Sequence, residues 1–229
     1  MTADGLHLVI KTIDVSGNSV KGLPVEFYTM VQLKILHASR CSIQRVSDLS
    51  ALDRLLQLDL DRNDLEVDVL GPLPISLLRV NFAHNHFSGL PPALNNLINL
   101  TELNLTGNRI ESIIGIGSLV SLVNLNLDNN QILELPEDAS NLTKLRQISL
   151  KSNRISRKSV SNPDQQSIPA SFFQMTLVDS INLTGNLDLK KSDLFMFNGI
   201  EDFIERRKKS KAKSMHGGAM TDFEIFGLN

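Results

Sequence analysis

Residues 100–110 read Leu-Thr-Glu-Leu-Asn-Leu-Thr-Gly-Asn-Arg-Ile, and this stretch is one copy of a repeat that fills most of the chain. Apolar residues occupy its slots at Leu100, Leu103, Leu105 and Ile110, and Asn108 occupies a polar slot. The same slots recur along the chain, and the polar slot then holds Asn18, Cys41, Asn63, Asn85, Asn108, Asn130, Asn153 and Asn186. These residues are 23, 22, 22, 23, 22, 23 and 33 positions apart, so the sequence predicts about eight copies of one structural unit.

Each copy is built around a short apolar-x-apolar segment, which has the two-residue period of a strand. A chain that turns once every 22 or 23 residues stacks these strands side by side into a parallel sheet. Where each strand turns inward, backbone groups are buried without sheet partners. We expect the polar slot to satisfy them, because an asparagine amide both donates and accepts hydrogen bonds.

The pattern Leu-x-x-Leu-x-Leu-x-x-Asn/Cys-x-Leu resembles the leucine-rich repeat family over residues 6–190. The resemblance implies an α/β solenoid with a curved parallel sheet on its concave side. Loops and short helical turns are expected on the convex side. Leu90-Pro91-Pro92 resembles the typical repeat class, and Ile113-Ile114 resembles the shorter class of phosphatase-regulating relatives, so the chain looks like a small intracellular member.

The organisation predicted along the chain has three parts. Residues 1–190 form the solenoid, with a polar surface loop at 156–167 that lengthens the seventh interval. Residues 191–213 form a capping helix with a basic end, because the apolar residues from Leu194 to Ile204 have nearly helical spacing. Residues 214–229 form a tail that either folds back or docks on a partner through Phe223, Ile225 and Phe226.

Composition limits the location and the chemistry. The 229 residues carry a net charge of −2 and a single cysteine, which excludes a disulfide framework and suits a reducing compartment. The sequence shows no secretory signal pattern and no apolar run of the roughly 18 residues that a membrane span needs. These features predict a cytoplasmic protein, with a nuclear or cytoskeleton-associated location left open. No catalytic, cofactor-binding or metal-binding motif is present, so we expect no enzyme activity and no small-molecule substrate.

The exposed positions of the strands remain as a binding surface, and its best anchors lie on repeats two to four. They are His37, Arg40, Asp59, Asp61, Arg62, Arg79 and His84. The basic run from Arg206 to Lys213 is a candidate contact for an acidic surface. Because this run has no interleaved aromatic residues, it does not indicate nucleic-acid binding.

The sequence therefore predicts a non-catalytic protein-interaction module or scaffold, which binds another protein on the concave face and through the tail. Two other functions remain open at this point. One is a regulatory subunit of an enzyme such as a protein phosphatase, and the other is a structural component of a large assembly.

Overall fold

The computed structural model describes residues 9–162 and 164–214 of the chain. Eight three-residue strands form one parallel sheet in chain order, which confirms the predicted solenoid architecture. The strands are β1 (Thr12–Asp14), β2 (Ile35–His37), β3 (Gln57–Asp59), β4 (Arg79–Asn81), β5 (Glu102–Asn104), β6 (Asn124–Asn126), β7 (Gln147–Ser149) and β8 (Ser180–Asn182).

The register of the sheet follows the repeat without a slip. The middle residue of each strand pairs with the middle residue of the next, as Leu58 does with Val80 and Ile148 with Ile181. These middle residues point into the core, whereas the first and third residues of each strand face the other way. The longer interval between β7 and β8 leaves this register intact, because its extra residues loop out of the repeat.

The return segments on the convex side are short and mostly helical. The 3₁₀ segments are Val25–Thr29, Val67–Val69, Pro92–Leu94, Ile116–Ser118 and Glu137–Asn141, and the return before β8 contains α1 (Ala170–Met175). Four of these six segments directly follow a proline, namely Pro24, Pro91, Pro136 or Pro169. Proline fixes φ near the helical value, so it sets the start of each turn.

The core lies between the sheet and these return segments, and leucine and isoleucine dominate it. Aromatic residues concentrate at its C-terminal end. The ring of Phe173 lies 5.8 Å from that of Phe172 and 6.2 Å from those of Phe197 and Phe203, measured between ring centroids. This aromatic group closes the last turn of the solenoid, where no further repeat covers the core.

The predicted capping helix is divided in two. Helix α2 (Lys191–Leu194) ends before Phe195, and α3 (Ile200–Ser214) begins after Gly199. Gly199 has φ +82°, and a Cβ atom there would lie 2.9 Å from the carbonyl oxygen of Ala170, so the chain needs glycine at this bend. The predicted capping helix over 191–213 is therefore interrupted between Leu194 and Ile200, and Phe195, at 44% exposure, lies largely outside the core.

Helix α3 is held by the first residues of the basic run. Arg206 donates from Nε to the carbonyl oxygen of Val178 (3.2 Å) and from Nη2 to that of Phe173, and Arg207 donates from Nη1 to that of Asp179 (2.7 Å). In the preceding repeat, the carbonyl of Arg146, which is equivalent to that of Asp179, accepts bonds from the next turn of the chain. Arg207 thus supplies a side-chain donor where the backbone N–H groups of a following repeat would otherwise bond.

The carboxylate of Glu134 is one anchor of the inserted loop, which also bonds to Leu135 and Asn198 through Ser167 and Gln166. Glu134 accepts hydrogen bonds from the hydroxyl of Ser159 (2.5 Å), the N–H of Val160 (2.9 Å), and both the N–H and the hydroxyl of Ser161. Partial burial opposes ionisation of Glu134, but these hydrogen bonds outweigh it and hold its pKa below the usual value. The loop at 156–167 is therefore attached to the solenoid by a charged contact.

Candidate functional site

The polar slots form a ladder of side chains behind the sheet, and Asn108 shows its geometry. Its Nδ2 donates to the carbonyl oxygens of Phe82 (3.0 Å) and Leu105 (2.9 Å), and its Oδ1 accepts from the N–H of Phe87 (3.1 Å). Leu105 belongs to its own repeat, whereas Phe82 and Phe87 belong to the preceding one. One amide therefore joins two turns of the solenoid.

Most of the other ladder residues bond in the same way, and the exceptions lie in the first two repeats. Equivalent bonds to the preceding repeat are made by Asn63, Asn85, Asn130, Asn153 and Asn186. At Cys41 a buried thiol replaces the amide, with its sulfur 3.1 Å from the carbonyl oxygen of Val15. Asn18, in the first copy, is exposed, and among the described residues it bonds to the carbonyls of Val15 and Ser16 in its own turn.

The front of the sheet forms a groove of about 660 Å³ that spans β3 to β8. The polar residues that line it are Gln57, Asp59, Arg79, Asn81, Glu102, Asn104, Asn124, Asn126, Gln147, Ser149, Ser180 and Asn182. They are the first and third residues of their strands. First residues pair with first residues of the next strand, and third with third, so they form two columns across the sheet. Its end on β3 to β5 carries three charged residues, and its end on β6 to β8 carries none.

The third residues of six strands share a further role that the sequence analysis missed. We call them the Asx row, which comprises Asp14, Asp59, Asn81, Asn104, Asn126 and Asn182. Each accepts, through Oδ1, a hydrogen bond of 2.9–3.2 Å from the backbone N–H two residues further on. The recurrence of Asp or Asn at this position was the signal for it.

The two remaining strands obtain the same bond from a neighbouring repeat. In the repeats of His37 and Ser149, the N–H of Ser39 donates to Ser16 Oγ (3.1 Å) and that of Lys151 to Asp128 Oδ1 (2.8 Å). All eight strands thus end in the same way. At Asp14, the bonds from the N–H and hydroxyl of Ser16 hold the pKa of the carboxyl below its usual value.

Three of the predicted anchors lie just beyond the strands in a left-handed backbone conformation. Arg40, Arg62 and His84 have φ values of 53–55°, and they precede the ladder residues of their repeats. Glycine holds this position at 17, 107 and 185, again with positive φ. None of these three residues lines the groove.

The remaining anchors lie on or beside the sheet face, where several cations contact carboxylates. His37 Nδ1 lies 3.6 Å from Asp59 Oδ2, Arg79 Nη1 lies 4.0 Å from Glu102 Oε1, and Arg62 Nε lies 3.4 Å from Asp61 Oδ2. Asp59 also accepts from Asn81 Nδ2 at 3.0 Å. The charges on repeats two to four therefore partly neutralise one another. Phe223, Ile225 and Phe226, the tail residues predicted to bind, lie outside the described residues.

The described part of the chain holds no group of three or more His, Cys, Asp or Glu side chains that could bind a metal ion. Across residues 9–162 and 164–214, no helix combines the length and the apolar character that a membrane crossing requires.

Comparison with known proteins then assigns the repeat. The model of the Leucine Rich Repeat family matches residues 99–119 and 121–142, which are two of the eight units of the sheet. The chain therefore carries leucine-rich repeats. No curated protein sequence matches it significantly.

Solved structures similar to this leucine-rich repeat protein include two plant receptors. One is the leucine-rich repeat ectodomain of the membrane receptor kinase GASSHO1/SCHENGEN3 from Arabidopsis thaliana, with 23% identity, 77% coverage of this chain, 24% coverage of that chain and a TM-score of 0.49. The other is the plant peptide hormone receptor RGFR1, with 22% identity, 78% and 30% coverage, and a TM-score of 0.51. The leucine-rich repeat protein thus spans less than a third of either receptor chain, and the second likeness supports the fold.

Proposed function

We propose that this leucine-rich repeat protein is a non-catalytic interaction module, or scaffold, that binds a segment of another protein in the groove on its sheet. The observation that carries the proposal is the groove itself. Six consecutive strands present two columns of polar side chains at fixed spacing, over about 660 Å³. Aligned hydrogen-bonding groups on a rigid sheet suit recognition of another chain, because their positions are fixed before binding.

The charged anchors form the second part of the proposed surface. His37, Asp59, Asp61 and Arg79 lie at or beside the charged end of the groove, and the rim adds Arg40, Arg62 and His84. Because several of these charges are paired, we expect them to align a partner of mixed charge more than to attract a strongly acidic one.

Mutation of the groove floor tests this proposal. Asn124 lines the middle of the groove, and its side chain makes no hydrogen bond within the described residues. Asn124→Trp should fill the groove and abolish affinity capture of the partner from cell extract, whereas Asn96→Trp, at an exposed position outside the groove, should leave capture unchanged. Equal capture by both variants would place the interface elsewhere. The identity of the captured protein separates a scaffold from a regulator of an enzyme and from a component of a large assembly.

The tail and the basic run are proposed as a further contact with the partner. Truncation after Met215 removes Phe223, Ile225 and Phe226 and keeps the basic run. The truncated protein should retain the thermal midpoint of the full chain and capture less partner. A lowered midpoint with unchanged capture would instead assign the tail to the fold. Beyond the arginines that hold α3, Lys208 and Lys209 are the exposed cations of the run whose side chains the structure describes.

A cytoplasmic location is part of the proposal, and the single buried thiol of Cys41 supports it. Fractionation of cells that express the tagged full chain tests this location. Recovery from the medium or from membrane vesicles would contradict it.

A further inference from the structure

Three asparagine side chains of the groove are oriented by hydrogen bonds to the backbone. Asn104 Oδ1 accepts from both the N–H (3.1 Å) and the hydroxyl (2.7 Å) of Thr106. Asn126 Oδ1 accepts from the N–H of Asp128 (3.0 Å), and Asn182 Oδ1 from that of Thr184 (3.1 Å). In each case the carbonyl end of the side-chain amide is committed to the protein's own backbone.

The amino ends of these three amides remain available. Within the described residues, Nδ2 of Asn104, Asn126 and Asn182 has no hydrogen-bond acceptor, whereas Asn81 Nδ2 donates to Asp59. All three residues line the groove. Because Oδ1 is held by the backbone, rotating the amide would break that bond, so the orientation of the donors is fixed. The third residues of β5, β6 and β8 therefore present N–H donors to the groove, while Ser149 of β7, which lies between Asn126 and Asn182 in the sheet, donates its hydroxyl to Asp128.

The rest of the groove limits what these donors can bind. From β6 to β8 the groove contains no charged residue, and none of its lining residues is aromatic. A nucleic acid would require cations for its phosphates, and Arg79, the one cation in the groove, lies near Glu102. Sugar rings and bases commonly stack on aromatic side chains, which this surface lacks. An uncharged ligand with regularly spaced oxygen acceptors remains, and an extended polypeptide main chain has this chemistry.

We infer that the part of the groove from β5 to β8 binds an extended, uncharged peptide segment, whose main-chain carbonyl oxygens accept hydrogen bonds from Nδ2 of Asn104, Asn126 and Asn182. This inference rests on the proposed function and names the chemistry of the partner at that site. The strands from β5 to β8 span about 14 Å at roughly 4.8 Å per strand, which is the length of about four extended residues. The segment runs across the strands, and its side chains contribute little to recognition in this part of the groove.

Replacing asparagine by aspartate tests the inference with almost no change of shape. Aspartate keeps the oxygen that accepts the backbone bond and replaces the outward donor by an acceptor. The same column already holds aspartate at 14 and 59, so the fold accommodates it. The test variant is Asn104→Asp with Asn126→Asp. The matched control is Asn95→Asp with Asn96→Asp, which adds the same charge at exposed positions outside the groove.

The probe is a display library of random twelve-residue peptides, selected on the purified full-length protein. The dissociation constants of individual selected peptides are then measured by fluorescence anisotropy. We expect the selected peptides to bind the Asn104→Asp/Asn126→Asp variant at least tenfold more weakly and the control within twofold. Thermal midpoints should agree within a few degrees for all three proteins. A peptide in which one central amide is replaced by an ester should also bind more weakly, because an ester carbonyl is a poorer acceptor.

The results also separate this inference from the proposed function. Some peptides could lose binding to Asn124→Trp but bind the aspartate variant as tightly as the wild type. This result would overturn the inference that the asparagine amides donate to the peptide, and it would still support the groove as the binding surface. Peptides that bind Asn124→Trp unchanged would overturn both. Failure to enrich any peptide over a protein-free control, or selection only of strongly charged peptides, would overturn the assignment of an uncharged main chain as the ligand.

Discussion

Asn108 illustrates how much a single side chain does in this fold, because its amide bonds to three backbone groups of two repeats. Asn108→Ala would leave those groups buried without partners, so we expect it to lower the free energy of unfolding by about 1–3 kcal/mol. Asn96→Ala, at an exposed position, should change it by less than about 0.5 kcal/mol. Denaturant titration of both variants measures the difference, and equal effects would contradict the ladder.

The left-handed residues before the ladder allow a second test. Arg40 has φ +55° and makes no side-chain hydrogen bond or ion pair within the described residues. Arg40→Gly should raise the free energy of unfolding by about 1 kcal/mol, because only glycine adopts this conformation without steric cost. Lys34→Gly, at an exposed position without positive φ, should lower it by about 0.5–1 kcal/mol. Destabilisation by both substitutions in chemical denaturation would contradict the backbone geometry.

Residue-level geometry also shows which binding features the sequence could reveal. Placement of Asp59, Asn81 and Asn104 on one face follows from the two-residue period of a strand, which the sequence displays directly. Their bonds to the backbone two residues further on do not follow from that period, since they depend on the turn that ends each strand. The same turn gives Arg40 its positive φ, and an arginine carries no such signal, whereas the glycines at 17, 107 and 185 do.

Among the elements, α3 depends on two arginines that the sequence presents only as part of a basic run. Arg206→Met with Arg207→Met would leave the carbonyls of Phe173, Val178 and Asp179 without their donors. We expect a loss of about 2–4 kcal/mol and a lower thermal midpoint, because charged hydrogen bonds at a partly buried site are worth about 1.5–3 kcal/mol each.

The control for the cap has the same change in charge. Lys208→Met with Lys209→Met also removes two cations from α3, yet both lysines are exposed, and within the part of the chain that the structure describes their one ion pair joins Lys209 to Glu205. This variant should lose less than about 1 kcal/mol. If calorimetry shows equal midpoints for the two double variants, the arginines are not what holds the cap.

The inserted loop has a pH dependence set by Glu134. Its pKa is lowered in the folded protein, so its contribution to loop docking is present above the unfolded pKa of about 4.3 and is lost as the pH falls through the folded value. Protease cleavage of the loop should therefore accelerate as the pH falls below about 4, when an acid-active protease is used. In the Glu134→Gln variant, the protease should cleave the loop rapidly at all pH values. In the Glu111→Gln control, the cleavage rate should depend on pH as it does in the wild type. A wild-type loop with no change in cleavage between pH 3 and 6 would contradict this anchoring.

The period of 22–23 residues predicts the strands, their order and their register, because equivalent apolar positions of successive repeats lie next to each other when the turns stack. It also predicts that the 33-residue interval adds a loop without shifting β8. The break at Gly199 was not predictable from helical spacing, because it results from the close approach of Ala170, a contact between distant parts of the chain.

For the molecule as a whole, the repeat gives every strand the same geometry, and the side chains at the exposed positions make the two ends of the groove chemically different. The charged end of the groove comes from repeats three to five, which supply Asp59, Arg79 and Glu102, and the neutral end from repeats in which asparagine, glutamine and serine take these positions. A partner that fills the whole groove therefore meets charge at one end and hydrogen-bond donors at the other. If the proposed function holds, we expect this asymmetry to set the direction in which a bound segment lies.

Site-specific photo-cross-linking in cells tests the central claim, that the groove is the binding surface, most directly. A photoreactive phenylalanine analogue is placed at position 124 on β6 in one protein and at position 96, outside the groove, in another. The account predicts a covalent partner adduct on irradiation from position 124 and none from position 96. An adduct from position 96 with none from position 124 would contradict it.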